Sequence, residues 1–412
     1  MTLVAPRTKE ERARLMRAAL AQAWDELVAT SLEIHAHPEL NYEEYHAAAL
    51  LADLLERHGF AVERGVGGVA TAFRAVVEGA GPGPTIAYLA EYDALPEIGH
   101  GCGHNLIAIS AVAAGLAEQA ANRDLPGRIV VLGTPAEEGG GGKIRLLEAG
   151  VFAGVDVALS SHPGSHETVI PTEIPLGESW SLAMVGYRYE FVGRAAHAAV
   201  SPHEGVNALN AVIHLFTGID ALRQHLRDDV RIHGVITDGG KAPNVVPEFA
   251  AANFMLRARD REYLLRVVEQ VRRVAEGAAL MTGAQLTVKP FYPFYEHVVP
   301  NATLARLACE NAPLAQLAVV APRGARRGWA STDFGNVSQV VPAFAISFAV
   351  SETPVAAHTP AMAAAATTEL AHRNAIAVGL TLALLAADLR ERPELLAAVR
   401  EEFLQRTGRE HG

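Results

Sequence analysis

Between residues 69 and 159 the chain alternates short apolar runs with segments of helical period, and this alternation constrains its fold more than any other feature. Residues 69–77, 85–89, 128–132 and 155–159 read as strands, and residues 106–121 and 143–149 as helices. Strands separated by helices need crossover connections. They predict an α/β layer with a mostly parallel sheet flanked by helices, and ligands at the carboxyl ends of the strands. Two helices precede this region. Thr8 and Glu11 have capping-box spacing ahead of a stripe of Leu15, Met16, Leu20, Ala23, Trp24 and Leu27. A second helix, residues 42–58, stops at Gly59, as a C-terminal cap requires.

Near Ser181 the pattern changes. Residues 181–192 (strand), 206–226 (helix), 231–236 and 248–257 (strands), 261–280 (helix) and 285–289 (strand) follow the β-α-β-β-α-β order of a ferredoxin-like unit. Its first helix carries Val206, Leu209, Val212, Ile213, Phe216, Ile219 and Leu222 largely on one face, which is expected to pack on its own sheet. The α/β signals resume after Pro300 and end in one long helix from Ala361. The expected organisation is a discontinuous domain, residues 1–180 and 291–412, with residues 181–290 inserted as a lid or dimerisation domain.

Composition excludes several classes. The chain has 412 residues, half of them apolar, which suits two or three domains with a sizeable core. With 35 basic and 46 acidic residues it carries −11, and no basic run suggests a nucleic-acid or membrane partner. The longest apolar run, residues 375–387, is shorter than the ~20 residues of a bilayer span. The N-terminal residues mix both charges and lack an apolar signal core, so a cytoplasmic location is expected. Two cysteines cannot build a disulfide framework, whereas 17 histidines allow an imidazole-rich site.

Four clusters at strand ends could carry chemistry. Cys102 and His104 are two residues apart, so an extended backbone would point both to one side, with glycines at 101 and 103 allowing close approach to an ion. Thiolate and imidazole suit zinc or another borderline metal. Glu137 and Glu138 directly follow an apolar strand; one can ligate a metal while the other acts as general base toward water. A phosphate-binding loop is excluded there, because Glu137 and Ile144 stand where it needs Gly and Ser or Thr. His162 ends the next strand, and His358 precedes the C-terminal helix. Any one cluster alone is ordinary; their recurrence at successive strand ends is not.

The stretches around these clusters resemble the amidohydrolase branch of the aminoacylase and carboxypeptidase-like co-catalytic metallopeptidases. That branch includes p-aminobenzoyl-glutamate hydrolase subunits, indole-acetyl-amino-acid hydrolases and β-alanyl-lysine-type dipeptidases. The matching residues are Ile34–Leu40, Glu91–Pro96, His100–Asn105, Gly133–Lys143, Gly193–Ala199, Asn244–Pro247, Ser331–Asp333 and His358–Pro360. The resemblance implies two divalent ions per subunit, zinc first and manganese or cobalt next, held by Cys102, His104, Glu138, His162 and His358, with Cys102 bridging. It implies Glu137 as the proton-transferring base. His197, from the inserted domain, would support the oxyanion in the site of the other subunit of a homodimer. Asn244 would contact substrate, and Arg257 is a candidate for a substrate carboxylate, with Arg194 and Arg259 as alternatives.

Two departures stand out. Other branches carry His-x-Asp where this chain has Glu91-Tyr92-Asp93, which argues against Glu91 as a ligand and leaves Asp93 in support. Asn105 occupies a position often held by Asp. His35 and His37 are expected to be structural, at a helix end, and His203 and His214 to lie on the surface. The expected activity is hydrolysis of an N-acyl amino acid, an aminobenzoyl-glutamate-like conjugate or a small dipeptide. Alternatives are a carboxypeptidase or dipeptidase for an unusual dipeptide, an amidase with Cys102 as nucleophile, and a metal-dependent binding subunit without chemistry.

Overall fold

The computed structural model describes residues 7–320 and 330–408, so the N-terminal stretch read for a targeting signal is seen only from Arg7. The chain divides into two compact units. The first comprises Met1–Glu178, Val299–Arg327 and Asn336–Gly412; the second comprises Ser179–Val298 and Gly328–Gly335.

The first unit opens with α1 (Lys9–Ala36) and α2 (Tyr45–Arg57), then β1 (Ala61–Arg64), β2 (Phe73–Glu78), β3 (Thr85–Ala90), α3 (His104–Ala121), β4 (Arg128–Gly133), α4 (Gly142–Glu148) and β5 (Val157–Pro163). The second unit holds β6 (Ala183–Val192), α5 (Ala208–Arg223), β7 (Arg231–Asp238), β8 (Phe249–Ala258), α6 (Arg261–Thr282) and β9 (Gln285–Tyr295). The chain then continues through α7 (Ala302–Asn311), α8 (Phe334–Ser338), β10 (Ala343–Phe348), α9 (Pro360–Ala365), α10 (Glu369–Glu391) and α11 (Pro393–Thr407). The Thr8–Glu11 capping box is formed. The single C-terminal helix expected from Ala361 is instead three, because Thr368 caps a new helix and Pro393 cannot continue the old one.

In the first unit the sheet order is β1-β2-β4-β3-β5-β10. β4, β3, β5 and β10 run parallel, while β1 and β2 pair antiparallel at one edge. β4 and β5 flank β3 on opposite sides, so the order of succession reverses there and a crevice opens at the strand carboxyl ends. α3 packs on β3, β4 and β5 and against α1 and α10; it is apolar nearly all round, as a central helix must be. α10 is long and apolar enough for a bilayer by composition, yet most of it is buried against α3, α7, α11 and β5.

Two arginines hold the far end of α3. Arg12 donates to Ala121 O (3.0 Å) and Asn122 Oδ1 (2.9 Å). Arg390 pairs with Glu118 (2.7 Å) and donates to the carbonyls of Asn122, Leu125 and Pro126. Burial raises the Glu118 pKa, against the opposing pull of Arg390.

The second unit is a four-stranded antiparallel sheet of order β7-β8-β6-β9 backed by α5 and α6, the ferredoxin-like arrangement. β9 runs through residue 290 to Tyr295. The buried face of α5 is Ala208, Ala211, Val212, Leu215 and Ile219, and Val206, Leu209, Phe216 and Leu222 of the expected stripe pack against the same core; Ile213 alone of that stripe points to solvent.

Replacing Arg390 with Met strands the Glu118 charge and is expected to cost roughly 3–5 kcal/mol, whereas Arg390→Met with Glu118→Leu recovers much of the loss. Denaturant midpoints of the two variants check this.

Candidate metal centre

β3 ends at Ala90 and leads directly into Glu91-Tyr92-Asp93. Tyr92 donates its hydroxyl to Thr71 O (2.5 Å), while Glu91 and Asp93 both lie beside His104. Asp93 is fully buried and serves two neighbours. Its Oδ1 accepts from His104 Nδ1 (3.0 Å), and its Oδ2 accepts from the Glu138 main-chain N–H (2.9 Å). Burial opposes the carboxylate charge, but His104 and these hydrogen bonds outweigh it and hold the Asp93 pKa low.

The loop to α3 is pinned from below. Ala94 N donates to Glu39 O (2.8 Å), and the buried His100 bonds Ile34 O through Nε2 (3.1 Å). Burial and the neighbouring His104 and His35 push the His100 pKa down to about 3, so it is neutral. Gly103 then adopts φ +72°, and a Cβ there would lie 2.9 Å from Pro163 Cγ. Cys102 and His104 are therefore not on an extended strand, as their spacing suggests. The chain turns left-handed between them, and His104 is the first residue of α3. They converge all the same: Cys102 Sγ lies 3.5 Å from His162 Nε2, and the ligand atoms of Cys102, His104 and His162 are within 4.8 Å of one another.

Each histidine has one nitrogen held and one aimed inward. His162 Nδ1 bonds Pro163 O (2.8 Å), which leaves Nε2 for Cys102. Burial, then the charge of His104, lowers the His162 pKa. His104 Nε2 is wholly buried and makes no hydrogen bond, although Glu138 Oε1 (3.7 Å), Glu91 Oε2 (3.8 Å) and Glu137 Oε2 (4.0 Å) surround it. Such spacings are too long for hydrogen bonds and fit ligands arranged around a cation. His358 sits at φ +60°, its N–H on Gly101 O (2.8 Å) and its Nε2 3.5 Å from Glu138 Oε1. Cys102, Glu138 and His358 form a second trio of ligand atoms, sharing Cys102 with the first. A soft thiolate with imidazoles and a carboxylate fits zinc, manganese or cobalt.

Three groups escaped sequence reasoning. Glu91, set aside as a ligand, is 3% exposed and forms a third trio with His104 and Glu137. It is also paired with the fully buried Lys143 (2.8 Å), so the lysine at the start of α4 balances a carboxylate. Glu44 is buried too, and its Oε1 accepts from Ala136 N (2.8 Å), holding the φ +61° turn that presents Glu137 and Glu138. Burial, then repulsion from Asp93, raises the Glu44 pKa to about 7. The period-two spacing of Glu91 and Asp93 was the available signal for the first; no local signal marks Glu44. Asn105 is structural, donating to Ser31 Oγ (2.9 Å) and Ala366 O (3.1 Å). Burial pushes the Cys102 thiol up to about 12, which disfavours a free thiolate nucleophile.

The remaining candidates lie in the second unit. His197 and Val245 form an isolated bridge, and Ala198 N donates to Asn244 O (3.0 Å), so His197 and Asn244 sit on paired segments. His197 Nδ1 accepts the N–H groups of Ala199 and Val200 (both 3.2 Å), which places the imidazole proton on Nε2. Arg257 is half-buried with Nη1 3.4 Å from Ser331 Oγ, and burial lowers its pKa. Arg194 is committed to Glu204 O of its own loop.

Asp93→Asn is expected to weaken divalent-ion affinity 10–100-fold, read by chelator competition. Glu44 has a second consequence. Its folded pKa of about 7 exceeds the ordinary 4.5, so its contribution to stability is present at low pH and lost as pH rises through about 7. Between about pH 5 and about pH 8 the metal-free chain should lose roughly 3 kcal/mol from this group, and Glu44→Gln should flatten that slope in urea titrations.

Comparison with known proteins bears on this geometry. The sequence profile of a peptidase dimerisation domain matches residues 183–280. Xaa-Arg dipeptidase of Mus musculus is 36% identical over 93% of this chain and 90% of its own length. One of the p-aminobenzoyl-glutamate hydrolase subunits of Escherichia coli is 38% identical over 66% of this chain and 59% of its own. A dinuclear metal-binding M20 peptidase from Bacillus subtilis shares the fold, with a TM-score of 0.67 at 22% identity over 89% of this chain and 98% of that one. With a fold and strand-end clusters of this kind, the chain belongs to the M20 family of metal-dependent peptidases and amidohydrolases, and it is a hydrolase of amide or peptide bonds.

Proposed function

We propose that the enzyme cleaves the amide of an N-acyl amino acid, an aminobenzoyl-glutamate-like conjugate or a small dipeptide, with two divalent ions held by Cys102, His104, Glu138, His162 and His358. The observation that carries this reading is the pair of ligand trios sharing Cys102 around a buried His104 nitrogen that makes no hydrogen bond. Zinc is the first choice of ion, with manganese and cobalt next. When bound, such a pair polarises the scissile carbonyl and lowers the pKa of the attacking water toward ~7.

The chain's own groups do the rest. Glu137, 7% exposed at the crevice, takes a proton from the water as its oxygen attacks the carbonyl carbon. It then delivers that proton to the nitrogen as the C–N bond breaks. Asp93 fixes His104 and the Glu138 backbone, and Lys143 balances Glu91. His197, with its proton on Nε2, is suited to donate to the oxyanion. We place it in the site of the other subunit of a homodimer formed through the second unit. Asn244 contacts substrate and Arg257 pairs with a substrate carboxylate. A cytoplasmic location and small-molecule substrates complete the proposal, with no nucleic-acid or membrane partner.

Among the substrates, the near full-length likeness to Xaa-Arg dipeptidase favours a dipeptide with a C-terminal arginine. Apo-enzyme reconstituted with each ion, and assayed on N-acyl amino acids, p-aminobenzoyl-glutamate and Arg- or Lys-ended dipeptides, tests this; hydrolysis confined to the acyl amino acids would reject it. Glu137→Ala should lower kcat by about 10²–10⁴ while the metal content stays unchanged. Equal loss of metal would instead make Glu137 a ligand.

A further inference from the structure

A second group of ligand-type side chains lies outside the buried centre and shares no residue with it. Glu33 is in the last turn of α1, His37 is the residue that caps that helix, and His46 is in the first turn of α2. All three are exposed, and their ligand atoms lie within 4.8 Å of one another. Glu33 Oε1 is 3.2 Å from His37 Nδ1 and 3.2 Å from His46 Nε2, and the two imidazole rings meet edge to face at 5.1 Å.

These separations resemble the edges of a coordination polyhedron. Metal–nitrogen and metal–oxygen bonds of ~2.0–2.1 Å in a tetrahedron put neighbouring ligand atoms ~3.3 Å apart. The backbone on both sides is already fixed. Glu39 caps α2 by accepting from His46 N and Ala47 N (both 2.9 Å), and His37 N bonds back into α1. His37 Nδ1 also lies 3.0 Å from Glu33 O, the contact that an ion would displace. Two imidazoles and one carboxylate select zinc, nickel or copper over magnesium and calcium, which prefer oxygen.

We propose that Glu33, His37 and His46 form a further divalent-metal site on the surface, which clamps the end of α1 to the start of α2 with water completing the coordination. Glu44, which accepts from Ala136 N, is the N-cap residue of α2, so the site lies close in sequence to that residue without including it.

The test compares the intact wild-type enzyme with a His37→Ala/His46→Ala variant after equilibrium dialysis against micromolar free zinc, with metal counted by mass spectrometry. The variant should hold one zinc fewer, with kcat and KM unchanged at saturating zinc. The thermal midpoint of the wild type alone should keep rising as zinc is added beyond the catalytic complement. Equal zinc content in both proteins overturns the site. The two-ion reading of the buried centre is judged separately, by the number of ions that the variant retains. A Cys102→Ala/His104→Ala background provides a second check: it should still bind one zinc, and lose it when His37 and His46 are replaced.

Discussion

The site depends on one buried carboxylate. Asp93 joins the end of β3 to the first residue of α3 through His104 Nδ1, and to the acidic loop after β4 through Glu138 N. Three chain segments that meet only in the folded state are thereby set in register by one side chain. Because the imidazole proton is held at Nδ1, Nε2 is directed at the space between the carboxylates, the arrangement a metal-ligating histidine needs.

Around Asp93 the charge is strongly unbalanced. Glu44, Glu91, Asp93 and Glu137 are all buried, with Glu138 at their edge, and Lys143 brings one positive charge beside them. Burying carboxylates in such excess is costly unless cations are added or protons taken up. The raised pKa of Glu44 is one response in the metal-free chain. Divalent ions at Cys102, Glu138 and the histidines would be the other, which is why electrostatics and ligand geometry point to the same centre. The scaffold bears this load because α3 is buried along its length and gripped at its far end by Arg12 and Arg390.

Much of this was legible from local patterns. The capping box at Thr8, the alternation of strands and helices and the β-α-β-β-α-β order all depend on neighbours in sequence, and all appear in the structure. The errors share a cause. The Cys102–His104 spacing suggested an extended pair because Gly103's left-handed φ, set by its approach to Pro163, has no sequence signature beyond the glycine itself. The exposure of Ile213, at the margin of the α5 stripe, depends on how that helix meets its sheet. Comparison of motifs argues against Glu91 as a ligand and says nothing of its ion pair with Lys143 or its place beside His104, which are contacts between distant segments.

The sequence by itself determined which chemistry was available: a thiol, imidazoles and carboxylates placed where parallel strands end, because strand period and crossover helices are local properties that put loops on one edge of the sheet. Only the tertiary structure decided which atoms face each other. It paired Glu91 with Lys143, set Glu44 beneath Ala136, left His104 Nε2 without a hydrogen bond and brought Glu33, His37 and His46 together across two helices. Those relations span long stretches of chain, and they exist only once packing has fixed the distances over which charges and hydrogen bonds act.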